Sequence, residues 1–179
     1  MTIHRVSLSP LADDWQEVRL PFANIVRSFV SGDPDGDRIR IRYYKTKDKD
    51  VLKGRIWFGP GSEGPPGHTH GGAQAAALDE ICGGAVWTHG FKVVALNLET
   101  DFITFVPLNT ELVLHGEISR REGRKIYTEG RIEDLSGRVL ARGRVLFIEL
   151  NEEQLAKLSG FSGGLELPSE ALPPRPDVT

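Results

Sequence analysis

Residues 67–88, GHTHGGAQAAALDEICGGAVWT, decide how this chain folds. They close a Gly/Pro-rich loop, GPGSEGPPGHTHGG, and lead straight into a helical segment. From Ala73 to Val86 only Gln74, Asp79 and Glu80 are polar; the other residues are Ala, Gly, Leu, Ile, Val or Cys. A helix that is apolar all round is expected to be buried all round. Its many Ala and Gly residues let a sheet approach the backbone closely. Asp79 and Glu80 stand in the middle, where a carboxylate loses solvation worth roughly several kcal/mol unless something compensates. Such an acid is paired, placed at a cavity, or used.

Outward from the helix, the pattern changes from period 3.6 to period 2 on both sides. Upstream, RIRIRYY (38–44) alternates Ile39, Ile41 and Tyr43 with Arg38, Arg40 and Arg42. VLKGRIWF (51–58) alternates again, and the two runs predict a hairpin across KTKDKD (45–50). Downstream, Gly90 is expected to stop the helix in a left-handed conformation. Four strands are then expected: VVALNLETDFITFV (93–106), ELVLHGEIS (111–119), KIYTEGRIE (125–133) and VLARGRVLFIEL (139–150). RREGRK (120–125) and DLSGR (134–138) are the turns between the last three. In the first of these strands Leu96, Leu98 and Phe102 share one face. Asn151, with Gln154 three residues on, reads as the capping box of a short helix EEQLAKL.

The ends are less regular. Leu11 to Val18 and residues 21–30, PFANIVRSFV, are expected to form short helices, and SGDPDGD (31–37) a turn. The tail from Ser159, ending LPPRPDVT, is expected to be largely disordered. The organisation is therefore an N-terminal extension (1–37), a core domain (38–150), and a short helix with a tail (151–179). The fold class is α+β, with one antiparallel sheet curled around a single central helix. One helix cannot cover both faces of such a sheet, and its edge strands need partners.

Composition narrows the function. A formal net charge of -3 gives no nucleic-acid footprint. The single cysteine, Cys82, excludes an internal disulfide and suits a reducing compartment. With no 18-residue apolar run and no apolar signal core near the N-terminus, a cytoplasmic protein without a membrane span is expected.

The motif His70-Gly71-Gly72-Ala73, with Asp79 nine residues after the histidine, resembles the hotdog-fold thioesterases. The branch most like it holds the phenylacetate-pathway (PaaI-like) thioesterase and the mammalian long-chain acyl-CoA thioesterases. EGPPG (63–67), Asn97-Leu98, Pro107, Glu122-Gly123-Arg124 and LFIEL (146–150) also fit, so the similarity spans residues 38–150. The resemblance implies hydrolysis of an acyl-CoA thioester without a cofactor. It implies active sites at the interface of a homodimer, with a dimer of dimers as a further assembly.

Under that resemblance, Asp79 is the general base or nucleophile. The Gly71 amide, at a helix N-terminus, is the oxyanion donor. Gly72 allows close approach of the thioester. His70 braces the loop or lies near the substrate carbonyl. Glu80 is the reserve acid. Gly123, Arg124 and Lys125, with Arg120 and Arg121, form a basic turn that either contacts CoA or is merely solvated. Leu78, Phe102 and Phe105 are core residues first and acyl-pocket residues second. His68 and His70 lack a third ligand at a recognisable spacing, so no metal is expected.

Two positions depart from the family pattern. Gly64 stands where the phenylacetate-type enzymes carry Asn, and Ala95 where the mammalian-like enzymes carry Thr. Asn97, Ser62 and Glu63 are the candidates to substitute. The alternatives to hydrolysis are a non-catalytic acyl-CoA-binding protein and an acyl-thioester hydratase or dehydratase. The helix after Gly72 has no histidine, which counts against the hydratase.

Overall fold

The computed structural model of the chain describes residues 6–20, 28–47 and 51–161. Seven strands and two helices follow in order: β1 (Gln16–Val18), β2 (Ile39–Lys45), β3 (Val51–Phe58), α1 (Gly71–Thr88), β4 (Val93–Phe102), β5 (Glu111–Glu122), β6 (Lys125–Glu133), β7 (Val139–Glu149) and α2 (Glu152–Phe161). The strands form one sheet in the order β1-β2-β3-β5-β6-β7-β4, every neighbouring pair antiparallel. α1 lies across this sheet and packs on β3 to β7. The expected β2–β3 hairpin is present, with Ile39 opposite Phe58 and Tyr43 opposite Gly54. Gly90 ends α1 with a φ of 84°.

The core lies between α1 and the sheet. Ile56, Phe58, Leu78, Ile81, Leu112, Leu114, Ile126 and Ile132 are fully buried, each contributing roughly 1.5–3 kcal/mol through the apolar area it removes from water. What lets α1 settle so deeply is a row of glycines across three strands. Gly116 is opposite Gly130, and Gly130 is opposite Gly143. A Cβ at Gly116 would lie 2.5 Å from the Ile81 carbonyl oxygen, at Gly130 2.7 Å from Cys82 Sγ, and at Gly143 3.0 Å from Leu78 Cβ. The helix therefore rests in a shallow trough where sheet side chains are missing.

Two expectations are corrected, and a third lies mostly outside the described residues. Leu11–Val18 is not a helix: residues 11–14 form a bend and turn, and β1 pairs with β2, placing Gln16 opposite Lys45. The Trp15 ring packs on Tyr44 at 5.6 Å, so this segment covers the first edge of the sheet. Of the helix expected over 21–30, residues 21–27 lie outside the described residues, and Ser28–Val30 lead into a turn closed by Gly32 N–H to Ser28 O at 2.9 Å. Finally, α1 is not buried all round. Ala76, Asp79, Gly83 and Trp87 form a half-buried stripe along one side.

β4 is the other sheet edge. Its register shifts between Ala95 and Asn97, and Leu96, Leu98 and Phe102 are exposed. The end of the core is tied to α2 by the expected capping box: Gln154 N–H donates to Asn151 Oδ1 at 2.8 Å, and Asn151 N–H to Gln154 Oε1 at 3.1 Å. Most of the tail from Ser159 lies outside the described residues. No helix among the described residues is long and apolar enough to cross a membrane.

The sheet face turned away from α1 carries a charged row. Lys53, His115 and Arg131 stand side by side on β3, β5 and β6. His115 Nε2 lies 2.8 Å from Glu133 Oε2, while Nδ1 faces Lys53 Nζ at 2.5 Å and Arg131 Nη2 at 3.1 Å. This arrangement fits a neutral ring that donates from Nε2 and accepts at Nδ1. Burial, then the Lys53 and Arg131 charges, push the His115 pKa down to about 4, against the pull of Glu133. The unfolded chain takes up this proton near pH 6.5 and the folded chain only near 4. Stability is therefore expected to fall as pH drops from about 6.5 to about 4. His115→Gln should flatten that part of a melting-temperature profile; an unchanged slope would remove His115 as its cause.

Candidate active site

The loop before α1 is held from several sides. Ser62 Oγ donates to Arg38 O at 2.5 Å, Gly67 N–H to Glu63 Oε1 at 2.8 Å, and His70 N–H to Ser62 O at 2.8 Å. His70 is the N-cap of α1, and its Nδ1 accepts the Gly72 N–H at 2.9 Å. The imidazole is thus a brace for the helix start. Gly71 is the first helical residue, so the helix's own ladder offers its N–H no acceptor. The amide points out of the positive end of the helix dipole. A Cβ at Gly71 would meet Phe102 Cζ at 3.1 Å, so the ring leans over this position.

Two turns further on, Asp79 and Glu80 line a cleft of about 180 Å³ with Leu20, Gly83, Gly84, Trp87, Val93, Ala95 and Phe147. The two acids differ. Glu80 Oε1 accepts from Tyr43 OH at 3.1 Å and from Ser31 Oγ at 3.3 Å. Asp79 Oδ1 is buried with no hydrogen-bond partner among the described residues. Burial raises the pKa of both; for Glu80 the Tyr43 and Ser31 hydroxyls pull the other way. Burial, reinforced by Glu80, holds the Tyr43 phenol well above its usual range. Asp79 is therefore the carboxylate with an oxygen left to take a proton. Cys82 faces the trough instead, and burial pushes its thiol up to about 12, so it offers no thiolate.

The sequence and the fold match known proteins. A profile of the thioesterase superfamily fits residues 66–141, from the loop before His70 into β7. The acyl-coenzyme A thioesterase THEM4 of Xenopus laevis is 31% identical over 134 residues, covering 73% of this chain and 60% of that protein. A crystal structure of a thioesterase superfamily protein aligns with a TM-score of 0.64 at 28% identity, over 79% of this chain and 70% of that one. Residues 66–141 match the thioesterase superfamily. The sheet curled on one helix is the hotdog fold. A hypothetical thioesterase of Streptococcus pneumoniae solved with coenzyme A shares that fold, with a TM-score of 0.58 at 19% identity over 63% of this chain and 90% of that one. The chain spans 60% of the Xenopus laevis THEM4 and 56% of its Bos taurus counterpart.

Within this hotdog frame the remaining candidates scatter. Asn97 lines a different hollow, of about 350 Å³, with Ser119, Arg120, Tyr127, Glu129 and Arg144. The β5–β6 turn is built on Gly123 at a φ of 58°. Its cations are largely engaged: Arg120 pairs with Glu122 at 2.6 Å, Arg121 with Glu149 at 3.0 Å, and Arg124 reaches Gln154 Oε1 at 2.7 Å. Lys125 is exposed. Leu78 is core, but Phe102 and Phe105 are not: they are 56% and 67% exposed, on the β4 edge of the sheet and the loop after it.

The two departures from the thioesterase pattern have structural settings. A Cβ at Gly64 would lie 2.8 Å from His70 Cα, so this loop leaves no room for an asparagine. Ala95 lines the same cleft as Asp79. Of the proposed substitutes, the Ser62 hydroxyl donates to Arg38 O, the Glu63 carboxylate accepts from Gly67 N–H within the loop, and Asn97 is elsewhere. The sequence reading did not single out Tyr43 and Ser31 as partners of Glu80. Tyr43 carried a signal, a hydroxyl on the inward face of β2.

Proposed function

We propose that this chain hydrolyses an acyl-CoA thioester to the free acid and CoA. The observation that supports it most is Asp79, an acid in an apolar cleft with an unpartnered oxygen. Its carboxylate takes a proton from water as that water's oxygen bonds to the thioester carbonyl carbon. The carbonyl oxygen becomes an oxyanion that a Gly71 N–H stabilises. Collapse of the adduct breaks the C–S bond, and the CoA sulfur leaves with the proton Asp79 holds. Direct attack by Asp79, followed by hydrolysis of the anhydride, uses the same groups.

Gly71 and Asp79 are eight residues apart on one helix, which puts them about 12 Å apart along its axis at the usual rise. One carbonyl cannot touch both. The reading therefore takes Gly71 from a second copy of the chain. The half-buried stripe on α1 and the exposed apolar residues of β4 support such a pairing.

The test is a panel of acyl-CoA thioesters with free thiol as readout, repeated over a dilution series. Thiol release is expected, with specific activity falling once the copies separate. Tight binding of acyl-CoA with no thiol release from any member would replace the hydrolase with a binding protein. The lack of a threonine at Ala95 gives that second reading its footing.

A further inference from the structure

Of the three polar side chains that α1 carries between Ala73 and Val86, Asp79 and Glu80 line the cleft, while Gln74 is buried at 5% exposure. Gln74 Nε2 donates to Thr69 O at 3.0 Å. A carbonyl can only accept, so this contact fixes which end of the amide is which. Gln74 Oε1 is left buried with no hydrogen-bond partner among the described residues, and so is Thr69 Oγ1.

Stability alone does not account for an amide held in this way. The net gain from one neutral hydrogen bond is no larger than the cost of leaving a buried acceptor unpaired. A methionine has the same length and would fill the space without that cost. What the amide supplies is direction. The peptide joining Thr69 to His70 is held on both sides: its N–H donates to Ser62 O at 2.8 Å, and its carbonyl accepts from Gln74 Nε2. The next peptide joins His70 to Gly71. Its carbonyl accepts from Ala73 N–H at 3.0 Å and from Gln74 N–H at 3.2 Å. In a trans peptide the N–H points opposite to the carbonyl, so the Gly71 N–H is turned outward from the helix start. Gln74 thus grips both carbonyls that precede this amide, one through its backbone and one through its side chain.

We propose that Gln74 is a positioning residue for the thioester hydrolysis, clamping the Thr69–His70 peptide so that the Gly71 N–H meets the developing oxyanion. The inference rests on the hydrolase reading. Without the side-chain amide, the buried Thr69 carbonyl loses its donor, and its peptide turns to find another. That rotation passes through His70 into the aim of the next N–H. The loss then falls on the transition state, where the oxyanion exists, and not on binding of the ester.

The experiment measures kcat and KM by thiol release on the best acyl-CoA ester, beside the melting temperature. Gln74→Met is expected to lower kcat by about 10–100-fold, the scale of a misaimed oxyanion donor, with KM within about threefold of wild type. Its melting temperature should be no lower than that of wild type. A wild-type kcat, or a loss confined to KM, would overturn the assignment; a lowered melting temperature with wild-type kcat would make Gln74 a structural residue. Gln74→Glu is the second variant and serves if Gln74→Met does not fold. Its carboxyl has the shape of the amide but donates only when protonated. The ratio of its kcat to that of wild type should rise about fivefold or more as pH falls from about 8 to about 6, the range into which burial moves such a carboxyl. A flat ratio would count against the clamp as decisively as a wild-type kcat in Gln74→Met. If wild type releases thiol from no ester, the hydrolase reading fails, and hydrogen exchange decides the clamp. The His70 N–H belongs to the clamped peptide, and in Gln74→Met it should exchange about tenfold faster or more; an unchanged rate would end the assignment.

Discussion

Replacing Asp79 with asparagine is expected to cut kcat/KM on the best acyl-CoA substrate by about 10²–10⁴-fold, the usual worth of a positioned general base, while raising the melting temperature. The two effects have one cause. Burial raises the Asp79 pKa, and one of its oxygens is buried without a hydrogen-bond partner. A carboxyl with a raised folded-state pKa favours the folded state at acid pH and loses that contribution as pH rises through the pKa. At neutral pH its charge therefore destabilises the fold, by about 1 kcal/mol once the solvent-facing part of the group is allowed for. The amide is nearly the same size and carries no charge, so its penalty is smaller. A gain of a few degrees is expected, at about 2–4 °C per kcal/mol for a chain of this size. The same raised pKa places the acid limb of the wild-type kcat/KM profile above the ordinary aspartate range. Full activity in Asp79→Asn would take the carboxylate out of the mechanism. Lost activity with a lower melting temperature would make Asp79 a structural residue instead.

Among the three trough glycines, Gly116→Ala is expected to be the most destabilising methyl addition, lowering stability by about 3 kcal/mol or more, at the upper end for overpacked cores. Local preference points the other way, since alanine costs less backbone entropy than glycine. Packing decides the sign here. The new methyl would sit 2.5 Å from the Ile81 carbonyl oxygen and 2.8 Å from its carbon. Those are backbone atoms of a helix, which cannot rotate away as a side chain could. Gly130→Ala makes a useful contrast, because its nearest neighbour is Cys82 Sγ at 2.7 Å. Cys82→Ala should recover much of that loss, and it should recover none of the loss in Gly116→Ala. Denaturant midpoints of the four variants supply the double-mutant cycle. A Gly116→Ala chain as stable as wild type would mean that α1 does not sit in the trough.

Local signals carried much of the architecture. The alternation in Ile39, Ile41 and Tyr43, the stop at Gly90 and the capping box at Asn151 and Gln154 are each decided by residues a few positions apart, and each is found where the pattern puts it. The misreadings share a different cause. Residues 16–18 pair with β2, and nothing within Leu11–Val18 encodes that partner. Phe102 and Phe105 look like core because the order that puts β4 at the sheet edge arises from chain topology, not from local pattern. The charged row of Lys53, His115 and Arg131 likewise exists only once register has aligned three strands. In the candidate site, the motif from His70 to Asp79 was legible because it lies on one helix and the loop leading into it. The hydroxyls that hold Glu80 come from Ser31 and Tyr43, which no spacing rule connects to it.

The glycines at 116, 130 and 143 do more than permit close packing. Three bare backbones touch α1 at consecutive points, Ile81, Cys82 and Leu78, within one turn of Asp79. They act as a bearing surface that sets both the height and the rotation of the rod carrying the acid. A methyl group on the sheet would lift that rod by a fraction of an ångström and swing the carboxylate off target. A displacement of about 1 Å at a reacting group can cost a hundredfold in rate. The accuracy of the chemistry in this molecule is thus seated on the far side of the helix, in residues that have no side chain at all.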